Sequence, residues 1–118
     1  MTVTLFGIKN CDTVKKARAW LDGKHIAHTF HDYKTEGIDR AHVAAWCKTF
    51  GWEKVLNRAG TTFRGLPAGD QKDLDESKAV KLMVAHPTLI KRPILMQNKD
   101  ARAVGFKPDT YAEIFARG

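Results

Sequence analysis

Cysteine is scarce in this chain, with two in 118 residues, which excludes a disulfide-rich scaffold. Long apolar runs are missing too. None approaches the roughly 20 residues that a membrane-spanning helix needs, and the start, Met1-Thr2-Val3-Thr4-Leu5-Phe6, shows no basic region leading into an apolar stretch and a cleavage site. No phosphate-binding P-loop, dinucleotide fingerprint or G-x-S-x-G elbow occurs. Repeats, low-complexity tracts and linkers are absent as well. What these absences leave is a soluble cytoplasmic protein made of a single domain, residues 1–118. The 43% hydrophobic content separates it from disordered chains, and a chain of this length buries roughly two-thirds of its unfolded surface.

Acidic residues are in the minority. There are 13 Asp and Glu against 20 Lys and Arg, for a net charge of +7. Such an excess raises the question of nucleic acid. However, the basic residues are scattered, the densest groups being Lys15-Lys16-Ala17-Arg18 and Lys91-Arg92. No stacking aromatics, helix-turn-helix spacing or basic tail accompanies them, so the pattern speaks against a nucleic-acid partner and suits a small anion. Metal binding has little support: His25, His28 and His31 straddle a strand, where a two-residue period turns His28 and His31 to opposite faces, and the cysteines lack zinc spacing.

The elements that are present follow an α/β order. Thr2 to Phe6 is β-rich, Val14, Ala17, Trp20 and Leu21 recur at near-helical spacing up to Gly23, and Ile26 to Tyr33 has strand character. That is a βαβ unit with a parallel pair. A helical insert spans about residues 35–90. It has one helix after Asp39 with Val43, Trp46, Cys47 and Phe50 on one face, a loop from Asn57 to Asp70, and a helix opened by the capping-box pair Asp73 and Glu76 and striped by Val80, Met83 and Val84. Pro93 to Gln97 and Ala101 to Phe106, joined by Asn98-Lys99-Asp100, predict a hairpin, and Pro108 starts a last helix carrying Tyr111, Ile114 and Phe115. The βαβ and ββα halves predict a thioredoxin-like, mixed four-stranded sheet covered by helices.

Cys11 falls between the first strand and first helix. A helix N-terminus offers unpaired N–H groups and the positive end of the macrodipole, both of which stabilise a thiolate. Its neighbours Asn10, Asp12 and Thr13 are polar, which points to a reactive thiol more than to a buried hydrophobe. Cys47, in the company of Val43, Trp46 and Phe50, reads as core. Val14 stands where a C-x-x-C motif would put a second thiol. Turnover would therefore draw on an external thiol, such as glutathione or a glutaredoxin-like protein.

Four stretches, Phe6 to Thr13, Leu56-Asn57-Arg58, His86 to Ile94 and Val104 to Pro108, occur in the order found in the arsenate reductase (ArsC) family. The family also contains the Spx regulators and the YffB-type proteins. The chain resembles it over essentially its whole length, and its YffB-type branch most. The resemblance implies a thioredoxin-like fold with a helical insert. It also implies that the Cys11 thiolate attacks arsenate, glutathione resolves the adduct, glutaredoxin completes the reduction, and no cofactor or metal is bound. Of three oxyanion-holding arginines, the first corresponds to Arg58 and the second to Arg92, while the third position holds Lys107. A histidine found four residues before the cysteine in well-studied reductases is Gly7 here. Lysine gives one mobile charge where arginine gives a planar fork, so the expected preference turns toward glutathione-linked disulfides over arsenate. Arg58 and Arg92 also have a plainer reading as salt-bridge partners, and Asn10 and Thr13 as helix caps or as donors to the sulfur. The thioredoxin-like plan further implies a cis-proline at Pro93, beside the cysteine. Two other functions fit the resemblance: an Spx-like transcription regulator that binds RNA polymerase, and a glutathione-binding protein without turnover.

Overall fold

The β-branched opening run forms β1 (Val3–Gly7), and a turn closed by the Cys11 amide on the Ile8 carbonyl at 3.2 Å leads into α1 (Asp12–Gly23). Val14, Ala17 and Leu21 line one side of α1 and are fully buried, the one-sided stripe that a helix needs to pack on a sheet. β2 (Thr29–Asp32) comes next and runs straight into the single turn α2 (Tyr33–Glu36). The strand is thus shorter than the expected Ile26 to Tyr33. His25, in the left-handed region at φ 58°, turns the chain before it. At its end the Asp32 carboxylate accepts from the Lys34 amide at 2.9 Å, a local bond that favours a turn over the ladder.

The middle of the chain is helical: α3 (Arg40–Phe50), α4 (Trp52–Val55), α5 (Thr61–Arg64) and α6 (Glu76–Ala85), with single 3-10 turns at Ala68–Gln71 and Pro87–Leu89. Asp39 caps α3 by accepting from the His42 amide at 2.8 Å. Asp75, not Asp73, caps α6, accepting from the Lys78 amide at 2.8 Å. The capping-box expectation was two residues early because Asp73 sits at φ 52°, in a turn outside the helix. The stretch from Asn57 to Asp70, expected as loop, contains α5 and the start of a 3-10 turn. The chain then forms β3 (Ile94–Gln97), β4 (Asp100–Val104) and α7 (Pro108–Phe115), with Pro108 in the first turn of α7. The hairpin turn is tighter than expected, since Asp100 already pairs with Gln97. Asn98, at φ 58°, supplies the left-handed corner that asparagine tolerates, and its side-chain oxygen accepts from the Thr2 amide at 3.0 Å. β4 stops at Val104 because Gly105, at φ 81°, turns the chain away.

This computed structural model describes residues 2–116; Met1, Arg117 and Gly118 of the expected domain lie outside the described residues. Two compact units are present, Met1–Glu36 with Arg92–Gly118, and Gly37–Lys91. The first holds a mixed four-stranded sheet in the order β2-β1-β3-β4, with β1 parallel to β2 and antiparallel to β3. This is the thioredoxin-like plan. Its core joins Val3, Leu5 and Leu95 of the sheet to Val14, Ala17 and Leu21 of α1 and Tyr111 of α7. The second unit packs α3 against α6, burying Val43, Trp46, Cys47, Val80 and Met83. Val84, expected on the same stripe, is only half-buried.

Candidate active site

Cys11 is the N-cap residue of α1, with an extended backbone at φ −83° and ψ 126°. A polar loop residue is needed there because the first amides of a helix have no partner within it. The cap belongs to Cys11 itself, so neither Asn10 nor Thr13 is the capping residue. Cys11 makes no side-chain cap bond; a thiolate is a stronger acceptor than a thiol. Burial pushes the Cys11 thiol up, but the Val14 amide, the Arg92 guanidinium and the Thr13 amide outweigh it, and the thiol lies below its ordinary value. The residue is half-exposed, while its body packs against the core of the first unit. It is partly exposed and ionises more readily than an ordinary thiol, and both properties bear on cysteine reactivity.

Cys47 differs in both respects. It is 2% exposed, and burial together with the Glu76 charge pushes its thiol up to about 11. No disulfide joins the two cysteines, which are both free.

Arg92 is brought to Cys11 from the strand on the other side of β1. β3 pairs Ile94 with Phe6 near the end of β1, and Arg92 lies two residues before Ile94. The Arg92–Pro93 peptide bond is cis. The Pro93 carbonyl accepts from the Gly105 amide at 2.8 Å, tying the end of β4 to the start of β3. Lys107, two residues beyond Gly105, is exposed and is the N-cap residue of α7. Asn10 and Thr13 are exposed on either side of the cysteine; Thr13 bears on the sulfur through its backbone. Arg58 belongs to the second unit, where it is exposed and lies over the Trp52 ring at 5.5 Å. The Asn57 side-chain oxygen shapes that loop by accepting from the Ala59 amide at 3.1 Å.

Gly7 has a structural reason. A Cβ at this position would meet Val14 Cγ2 at 2.7 Å, closer than non-bonded carbons approach. A histidine cannot sit there while Val14 fills the core.

One residue near the site escaped the sequence reading. Tyr33 is 3% exposed, and burial pushes its phenol far above the ordinary value, opposed by the Arg92 charge. It was legible only as the last residue of a strand; the available signal was a hydroxyl-bearing aromatic directly after Asp32, where the strand gives way to a turn. Among the described residues there is no group of three or more His, Cys, Asp or Glu that could hold a metal ion, and no helix long and apolar enough to cross a membrane.

A mixed four-stranded sheet in this order, with a cysteine at the head of its first helix, defines a thioredoxin-like fold. The chain belongs to the ArsC family, whose model matches residues 6–114. The solved structure of a YffB protein is 57% identical to it, covering 95% of this chain and 97% of that one, with a TM-score of 0.92. An arsenate reductase (ArsC) related protein from Brucella melitensis is 50% identical, covering 98% and 95% of the two chains, with a TM-score of 0.75. A global transcriptional regulator, Spx, from Streptococcus mutans is 30% identical over 91% of this chain and 78% of its own length. The chain is thus related both to arsenate reductase-like proteins and to Spx regulators.

Proposed function

We propose that this protein is a monothiol oxidoreductase that reduces glutathionylated thiols, with Cys11 as nucleophile. The observation that carries this reading is the half-exposed Cys11 sulfur at the head of α1, where two backbone amides and Arg92 favour its thiolate. The thiolate attacks the glutathione sulfur of a mixed disulfide. A bond forms between Cys11 and that sulfur, the old S–S bond breaks, and the substrate leaves as a thiolate that takes a proton from water. A second glutathione thiolate then attacks the glutathione sulfur on Cys11, releasing glutathione disulfide and restoring the Cys11 thiolate. The substrate gains two electrons and glutathione is oxidised. Val14 in place of a second thiol supports resolution by glutathione or a glutaredoxin-like protein, and no bound cofactor takes part. A reducing, cytoplasmic setting suits such chemistry.

Arsenate is the other substrate that the family suggests. Arg58, Arg92 and Lys107 are proposed as its anion-binding cations, with Asn10 and Thr13 as polar neighbours of the cysteine. A compact oxyanion gains most from several rigid donors that converge on it, and Lys107 supplies a point charge in place of a fork. Glutathione, with separated carboxylates, makes no such demand. Mass spectrometry after exposure to glutathione disulfide or to arsenate, with Cys11→Ser as control, tests both points. One glutathionyl group on Cys11, removed by added glutathione, is expected, with slower turnover of arsenate. An unmodified Cys11 would sink the reading, and an adduct that glutathione does not release would leave a binding protein without turnover. Similarity to the Streptococcus mutans regulator favours a second reading, a transcription regulator acting on RNA polymerase, which a pull-down with the polymerase tests.

A further inference from the structure

Tyr33 is the buried polar group that the chemistry above does not use. Its hydroxyl oxygen is fully buried and has no hydrogen-bond partner among the described residues. Leaving a buried donor or acceptor unsatisfied costs about 1–3 kcal/mol, and phenylalanine would fill the same space without that cost. Packing alone therefore does not account for the hydroxyl.

Its position is informative. β1 is central in the sheet, pairing Gly7 with Asp32 on one side and Phe6 with Ile94 on the other. Tyr33 follows Asp32 by one residue and Arg92 precedes Ile94 by two, so both flank the end of β1 from which the Cys11 loop departs. The Arg92 guanidinium acts on the Cys11 sulfur by a hydrogen bond and its charge, and on the Tyr33 phenol by its charge alone. It offers five N–H donors and no acceptor, whereas a phenol oxygen can accept. His31 also lies beside Tyr33, with its ring edge-on at 6.3 Å and its Nδ1 3.8 Å from the Glu36 carboxylate.

We propose that Tyr33 is a positioning residue whose hydroxyl oxygen accepts a hydrogen bond from the Arg92 guanidinium once Cys11 carries a negative charge, holding the guanidinium against the sulfur. This rests on the reading of Cys11 as the nucleophile. No proton changes hands; the phenol supplies a second anchor for a cation whose first partner is the thiolate.

The test follows the rate of Cys11 alkylation against pH in four full-length proteins: wild type, Tyr33→Phe, Arg92→Gln and the double variant. In wild type a midpoint below that of a free thiol is expected; an ordinary midpoint would overturn the Cys11 reading before Tyr33 is considered. In Tyr33→Phe the midpoint rises, so that the alkylation rate well below it falls about threefold to tenfold, the net effect of one ordinary intramolecular hydrogen bond. The rate well above the midpoint is unchanged, and so is the unfolding temperature, or it is higher. In the Arg92→Gln background Tyr33→Phe adds no further shift, which also separates the effect from any contribution of the neighbouring His31. An unmoved midpoint in Tyr33→Phe, or an equal shift with and without Arg92, would overturn the proposal.

Discussion

Cys11 and Cys47 carry the same side chain in opposite surroundings, and their reactivity should divide accordingly. Burial raises the Cys11 thiol, but the Val14 and Thr13 amides and Arg92 bring it below the ordinary value; burial and Glu76 push Cys47 up to about 11. Between the lowered value and the ordinary one, folded protein carries a thiolate at Cys11 where unfolded protein carries a thiol. At neutral pH, Cys11 should then alkylate faster in native than in urea-denatured protein. Cys47, neutral and 2% exposed, should do the reverse, with a native rate at least tenfold below that of Cys11, on the order of the thiolate difference such placements produce. Mass spectrometry of tryptic fragments reads both sites in one experiment, and equal native rates would refute the assignment. The contrast was legible in the sequence because each cysteine has unambiguous neighbours, polar for one and apolar for the other. Arg92 was not legible in this way. An arginine after Lys91 looks like solvated surface until the fold carries it to the end of β1, and only the family resemblance had singled it out.

At the scale of elements, β1 and α1 meet where Gly7 faces Val14. Val14 is fully buried, and any Cβ on residue 7 would press on its Cγ2. Overpacking of a filled core costs about 1–3 kcal/mol, so Gly7→Ala should lower the unfolding free energy by that amount. Val14→Ala removes two methyl groups and should cost about 1.6 kcal/mol, at roughly 0.8 kcal/mol for each carbon. The space it opens is the space that Gly7→Ala needs, so the double variant should lose less than the two losses combined. Urea unfolding measures all three, and strict additivity would show that Val14 is not the constraint. The absence of a histidine at position 7 and the absence of a second thiol at position 14 are thus two sides of one packing choice. Neither periodicity nor composition could show this, because the two residues belong to different elements and the contact exists only once helix and strand are packed. Element types were legible from spacing, as with Val14, Ala17 and Leu21. Element ends were not: Asp73 and Asp75 are equivalent as letters, and only the backbone decides which one caps α6.

For the whole molecule, the +7 charge bears on how substrates arrive. The basic residues are scattered, so their common effect is a diffuse positive potential that raises the local concentration of anions. Glutathione carries two carboxylates and one ammonium, and its disulfide twice that, so glutathione disulfide reaches Cys11 as an anion. Salt shortens the range of the field, from about 30 Å at 0.01 M to about 8 Å at 0.15 M. The second-order rate of Cys11 glutathionylation should fall roughly tenfold over that interval, the lower end of what charge steering achieves. An uncharged disulfide, bis(2-hydroxyethyl) disulfide, supplies the control, because its approach feels no field while its reaction draws on the same thiolate. If salt acted by weakening the hold of Arg92 on the sulfur, both disulfides would slow alike. If the charge serves to gather anionic substrates, only glutathione disulfide slows, and stopped-flow rates for the two at matched pH separate the cases. A salt-independent rate for glutathione disulfide would show that the basic surface has no part in substrate capture and that the cations nearest Cys11 act alone.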